Sequence, residues 1–309
     1  MSLPYFNTVE GCEAMRGVLK LFVVVFLLIL IIFFSGCGRS QESFYYQGIL
    51  FEGFDPMKHQ PSKEFSKYVR PEKIMLSPKE IKSLKRCVDL LKERNLLFLL
   101  EYADRFVVAN SPYSFADKPK MIIYLDKEKV TLDFSIGDDW KNKLLNSNLN
   151  LMENSGRFYF KGTPDLPNLL RIILHEIGHL VEYDKLKFNW KGKFVDNVLN
   201  KDFVNISWDR KQHWKDKEGF SQKLQSIYSV DALDAFFLWF QDESSFFSLS
   251  SSMGMNEDFA EAFVYYFLSK DFDYTIDFIV DQSVVVNNLQ RTNNFREKKF
   301  KFISEIFKE

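Results

Sequence analysis

The stretch from Leu169 to Tyr183 reads "LLRIILHEIGHLVEY" and places two histidines, with a glutamate between them, in a mostly apolar run with helical character. His175 and His179 are four residues apart, so on a helix they share one face and both imidazoles can reach a single Zn²⁺. Glu176 lies one step further round the helix, where its carboxylate can act as general base on a water at the metal. The stretch therefore predicts a zinc site on a helix.

The apolar surroundings favour a metal site over a core helix whose histidines hydrogen-bond to backbone groups. Most of the remaining positions of the stretch are apolar, which predicts a buried helix. A buried histidine pair with a carboxylate is costly to desolvate unless a partner compensates the polar groups, and a metal ion does so. A glycine inside a helix costs about 1 kcal/mol relative to alanine. Gly178 therefore indicates that another element approaches the helix closely beside the histidines.

A catalytic zinc site needs a third protein ligand, and the sequence "NEDFAEAFVYYF" at residues 256–267 offers candidates. Glu257 and Glu261 are four residues apart in this predicted helix. One carboxylate can bind the metal while the other, one turn later, accepts the N–H of a ligating histidine. The helix dipole alone also favours acids in a first turn, an alternative that fits Glu257 better than Glu261.

The two motifs together resemble the glutamate-zincin metallopeptidases, and "EDFAEAF" is similar to the corresponding segment of the anthrax lethal factor peptidase domain and related zinc-dependent peptidases. The resemblance implies a zincin-like fold with His175, His179 and Glu257 as the zinc ligands. It also implies that Glu176 is the catalytic base and that Glu261 accepts the N–H of a ligating histidine, His175.

The resemblance covers about residues 165–309 and has two departures. The long gap between the second histidine and the first glutamate predicts an inserted region at 188–250, interpreted as plain surface rather than as part of a substrate cleft. Relatives often carry a tyrosine before the glutamate helix that stabilises the oxyanion, whereas this stretch reads "SLSSSMGMNE". Tyr265 and Tyr266 lie on the wrong helix for this role. His213 is a candidate substitute, although a solvated loop histidine is the favoured interpretation.

The N-terminal segment is predicted to direct export. A basic segment precedes the uninterrupted apolar run from Leu21 to Phe34, and small residues then lead to Cys37. This run is shorter than the roughly 20 residues of a spanning helix and fits a secretory signal. Its ending, Phe-Ser-Gly-Cys, resembles a bacterial lipoprotein signal, which implies lipidation of Cys37; an uncleaved transmembrane anchor is the alternative. Both interpretations predict an exported protein tethered to the membrane in the cell envelope.

The whole chain is predicted to have an α+β fold with a small mixed sheet followed by a mainly helical half. Residues 1–36 are assigned to the signal with an upstream extension, and residues 37–76 to a tether with little regular structure. The zincin-like domain is assigned to residues 77–309, with the sheet in about 77–163 and the helices in about 164–309.

Local patterns predict how the domain begins. Ser77 can cap a helix, Pro78 fits its first turn, and Glu80 completes a capping box. Cys87, at a helical spacing among apolar residues, is predicted to be a buried small hydrophobe. The segments "KMIIYLDKEKVTLDFSIG" and "GRFYFKG" have the alternation and β-branched residues of strands.

Composition and motifs together lead to one main functional hypothesis. The chain has 41 basic and 42 acidic residues without a block of like charge, which argues against nucleic-acid binding. The hypothesis is a membrane-tethered zinc endopeptidase that hydrolyses protein or peptide substrates with a metal-activated water. The alternative is a catalytically weak or inactive zincin-fold lipoprotein that acts as a binding or host-interaction module. A weaker third idea is an integral anchor with membrane-protein substrates.

Overall fold

A computed structural model describes residues 40–186, 198–208 and 220–308. Residues 1–36, Cys37 and His213 lie outside the described residues. The α-helices are α1 (Lys63–Ser66), α2 (Pro78–Glu93), α3 (Ile136–Ser147), α4 (Asn168–Leu186), α5 (Val198–Ser207), α6 (Phe220–Gln225), α7 (Leu233–Asp242), α8 (Met255–Asp271) and α9 (Asn294–Ile306). The strands are β1 (Ser43–Tyr46), β2 (Ile49–Gly53), β3 (Arg105–Ala109), β4 (Phe115–Asp117), β5 (Ile122–Asp126), β6 (Phe158–Thr163), β7 (Thr275–Val280) and β8 (Ser283–Val286). Among these described helices, none is both long and apolar enough to cross a membrane.

The first sheet is mixed and has the strand order β1-β2-β3-β5-β4. Strand β2 is parallel to β3, and β3 is parallel to β5, while β1 and β4 are antiparallel to their neighbours. Strand β4 therefore forms one edge of the sheet. The observed architecture agrees with the predicted α+β class and the predicted mixed sheet.

The prediction of an irregular tether at residues 37–76 is wrong for the part that forms β1 and β2. Gln47 and Gly48 both have positive φ, 52° and 84°, as a two-residue hairpin turn requires. Phe51 is fully buried, and its ring stacks on the ring of Phe106 with centroids 5.2 Å apart. This hairpin therefore belongs to the sheet because it covers part of the core.

Helix α2 confirms the predicted capping box. Ser77 accepts a hydrogen bond at Oγ from the backbone N–H of Glu80, and its own N–H donates to Glu80 Oε2 at 2.6 Å. Cys87 is fully buried, also as predicted. The segment expected to form strands contains β5, but its end begins α3, which Ser135 and Asp138 start with a second capping box.

A second sheet, of order β6-β7-β8, lies in the C-terminal half. Strand β6 confirms the prediction for "GRFYFKG", but β7 and β8 fall in the region predicted to be mainly helical. They are joined by a turn in which Asp281 and Gln282 both have positive φ, 46° and 67°. The alternation in "TIDFIV" was the available signal for this hairpin.

Helix α4, which carries the histidines, packs closely against α8. A Cβ atom on Gly178 would lie 3.1 Å from Cα of Ala260 and 3.3 Å from Cδ1 of Phe263. This confirms the expected close approach at Gly178. The absence of a side chain at this position brings the two helices together next to the histidine face.

Part of the predicted insertion is packed into the core, so its interpretation as plain surface is wrong for the described residues around α5. Phe203 and Trp208 are buried. Trp208 donates from Nε1 to Oδ2 of Asp258 at 3.0 Å, and Lys299 from α9 pairs with the same carboxylate at 2.6 Å. Asp258 follows directly after Glu257, so these contacts hold the first turn of α8 in place.

Candidate metal centre

The structure brings together the three residues that the sequence suggested as ligands. Nε2 of His175 lies 3.2 Å from Oε2 of Glu257, and Nε2 of His179 lies 3.4 Å from Oε1 of the same carboxylate. One ligand atom from each residue lies within 4.8 Å of the others. Two imidazole nitrogens and one carboxylate oxygen form the donor set of the catalytic His₂Glu zinc sites.

Secondary structure explains how these side chains converge. The imidazole rings lie side by side on one face of α4 in an edge-to-face arrangement, with centroids 4.8 Å apart and planes at 90°. Glu257 lies in the first turn of α8 and reaches across the interface that Gly178 makes possible. The two Nε2 atoms thus point towards one carboxylate, and the two Nδ1 atoms point away from it.

Charge compensation dominates the electrostatics of the cluster. Burial alone would lower the pKa of His175, but its contacts with Glu257 and Glu261 outweigh burial and raise this pKa to about 10. Burial would likewise raise the pKa of Glu257, yet the two histidines hold it well below its usual range. Without a metal, protonated histidine therefore balances the charge of the Glu257 carboxylate. A divalent cation can provide the same balance when it displaces the protons.

Glu261, the expected partner of a ligating histidine, lies beside His175. It is fully buried on α8, and its Oε1 lies 2.8 Å from Nδ1 of His175. Burial would raise the pKa of Glu261, but the charges of Arg171 and His175 outweigh it and lower this pKa. The carboxylate is therefore ionised and able to hold the N–H of the histidine.

Arg171 and Asp139 are parts of the site that sequence reasoning missed. Arg171 forms a close buried ion pair with Glu261, and its Nη1 lies 3.4 Å from Oδ2 of Asp139. The signal for Arg171 was its position four residues before His175, on the same helical face. Asp139 comes from α3, and its proximity could not be read from local spacing.

A cavity of about 700 Å³ opens at this cluster. Glu176, only 5 % exposed, lines it together with both histidines and Glu257. Burial raises the pKa of Glu176. Phe115 and Ala116 of the edge strand β4 form part of the cavity wall.

The tyrosines are arranged differently from the expected pattern. Tyr265 is buried, and its hydroxyl accepts a hydrogen bond from Nε1 of Trp140 at 2.7 Å, so it belongs to the core. Tyr113, in the loop before β4, does line the cavity and is 42 % exposed. This tyrosine reaches the cavity from the loop before β4 rather than from the segment before the glutamate helix.

Comparisons of the chain with protein families, with curated proteins and with solved structures found no match.

Proposed function

We propose that the chain is a zinc-dependent peptidase with a zincin-like fold of the glutamate-zincin type. The observation that carries the proposal is the convergence of His175, His179 and Glu257 at a cavity that Glu176 also lines. This combination supports both parts of a hydrolytic site, a complete metal donor set and a buried carboxylate outside that set.

The proposed mechanism gives each side chain one role. His175, His179 and Glu257 would hold Zn²⁺, which when bound supplies Lewis acidity and lowers the pKa of water towards neutrality. Glu176 takes a proton from the water that attacks the peptide carbonyl and returns it to the leaving amine nitrogen. The raised pKa of Glu176 favours this proton transfer in both directions.

The lining of the cavity supports a peptide substrate. Phe115 and Ala116, which form part of its wall, belong to β4, an edge strand in the strand order of the sheet. Edge strands can bind an extended peptide through main-chain hydrogen bonds. We therefore assign protein or peptide chains as the substrate class.

The proposal places the enzyme outside the cytoplasm. A lipid on Cys37, or an uncleaved N-terminal helix, would tether the catalytic domain to the membrane of the cell envelope. This part rests on the sequence pattern of the first 37 residues.

The rival proposal is a binding or host-interaction module with the same fold and no hydrolysis. It is favoured by the segment "SLSSSMGMNE", which lacks the tyrosine that relatives often use at the oxyanion.

Glu176→Gln tests the peptidase proposal. Cleavage of a peptide library is compared between the wild-type chain, Glu176→Gln and the control Glu153→Gln, whose carboxylate is exposed. We expect Glu176→Gln to keep its zinc and to lose roughly 10²–10⁴-fold in rate, while the control cleaves normally. Equal cleavage by Glu176→Gln would refute the mechanism. A zinc-loaded wild-type chain that cleaves no library member would favour the binding module.

A further inference from the structure

We infer that Lys118 and Glu182 form a second positioning arm, which orients His179 in the way that Arg171 and Glu261 orient His175. This inference rests on the proposed zinc site. It assigns a role to two buried charges that no motif of the sequence had singled out.

The arm is defined by two distances. Oε2 of Glu182 lies 3.0 Å from Nζ of Lys118 and 3.7 Å from Nδ1 of His179. Glu182 is fully buried and Lys118 is 7 % exposed. Nδ1 of His179 and Oε1 of Glu182 are both buried without a hydrogen-bond partner. A small adjustment at the imidazole therefore lets Nδ1–H donate to this carboxylate.

The two histidines have matching surroundings. Each turns Nε2 towards Glu257, and each turns Nδ1 towards a fully buried carboxylate that a buried cation holds. A carboxylate at Nδ1 keeps the proton on that nitrogen and leaves the lone pair of Nε2 for a metal. The order cation, carboxylate, imidazole is thus repeated on both sides of the candidate metal centre.

The location of the pair argues for positioning rather than for stability alone. A buried ion pair contributes little net stability compared with apolar residues of similar volume. This pair also joins separate parts of the fold, because Lys118 follows β4 directly and Glu182 lies on α4. Lys118 therefore links the edge strand of the sheet to the helix that carries both histidines.

Zinc affinity tests the inference. The dissociation constant is measured by competition with a chelator for the wild-type chain, Glu182→Gln, Lys118→Met and Lys118→Arg. We expect a 10–100-fold loss for the first two variants, and recovery of most of the loss in Lys118→Arg. The matched control is Lys120→Met, an exposed lysine in the same turn, which should bind zinc as the wild type does. In the peptide assay, Glu182→Gln and Lys118→Met should lower kcat by a larger factor than they change KM.

Lys118→Met alone leaves the buried carboxylate of Glu182 unpaired, which can unfold the chain. A double variant, Lys118→Met with Glu182→Leu, is therefore measured as well, because it removes both buried charges together. We expect it to fold and still to bind zinc more weakly than the wild type. Wild-type zinc affinity in Glu182→Gln or in the folded double variant would overturn the inference.

A measurement on the zinc-free chain separates this inference from the proposed function. The Nδ1–H signal of His179 in a proton–nitrogen spectrum should be protected in the wild type and lost to exchange in Glu182→Gln. If the wild type binds no zinc but shows this difference, the proposed function fails and the positioning arm stands. If both chains give the same spectrum, the arm is refuted.

Discussion

Nδ1 of His175 lies 2.8 Å from Oε1 of Glu261, across the interface between α4 and α8. This contact joins the two sequence motifs at a point where the carboxylate is fully buried. A carboxylate in this position fixes the imidazole with Nε2 directed towards the other candidate ligands. The contact also depends on Arg171, the cation that compensates Glu261.

Arg171→Met should destabilise the protein strongly. The substitution leaves Glu261 and Asp139 without their shared cation, and removing one partner of a buried ion pair costs about 3–5 kcal/mol. The measurement is the free energy of unfolding in denaturant for the zinc-free chain. Arg86→Met, which removes an exposed ion pair with Glu93, should change this free energy by less than about 1 kcal/mol. Equal effects of the two substitutions would contradict the proposed role of Arg171.

Zinc uptake should release protons and should become stronger as the pH rises. His175 has a pKa of about 10 without metal, so it is protonated at neutral pH and must lose a proton to become a ligand. Below this pKa, each proton released strengthens apparent zinc binding about tenfold per pH unit. Calorimetry in two buffers with different ionisation enthalpies counts the protons. Zinc binding that does not change between pH 6 and pH 8 would refute the expected competition.

Gly178→Ala should weaken both the fold and the metal site. The added methyl would lie 3.1 Å from the backbone Cα of Ala260, which cannot yield as a flexible side chain could. Overpacking of this kind costs about 1–3 kcal/mol, which offsets or exceeds the roughly 1 kcal/mol gain in helix propensity. We expect a lower melting temperature and weaker zinc binding.

The control for this substitution is Gly156→Ala, where no atom lies within 4 Å of the new methyl group. It should leave zinc binding unchanged. If Gly178→Ala binds zinc as tightly as the control, close helix packing is not needed to place Glu257.

The sequence predicted those parts of the fold and site that depend on local spacing. Helical periodicity and the capping box predicted α2, and the four-residue spacings predicted which side chains of α4 and α8 share a face. The β1–β2 hairpin was missed because its turn, Gln47-Gly48, is defined by the positive φ of both residues. The strands on either side of the turn lack strong hydrophobic alternation.

Contacts between distant segments could not be predicted in this way. Lys118 is 64 positions from Glu182, and the two meet only because β4 packs near α4. Asp139 reaches Arg171 from α3, whose first residues were predicted to belong to a strand. No spacing rule links such residues, since tertiary packing alone brings them together.

The metal content of purified protein tests whether the three convergent side chains form a zinc site. Zinc per chain is measured after dialysis for the wild type and for His179→Ala, with circular dichroism to establish that both are folded. We expect about one zinc ion per wild-type chain and none in His179→Ala, because two donors are too few for a stable site. A folded wild-type chain without zinc, or a His179→Ala chain with the same zinc content, would contradict the assignment.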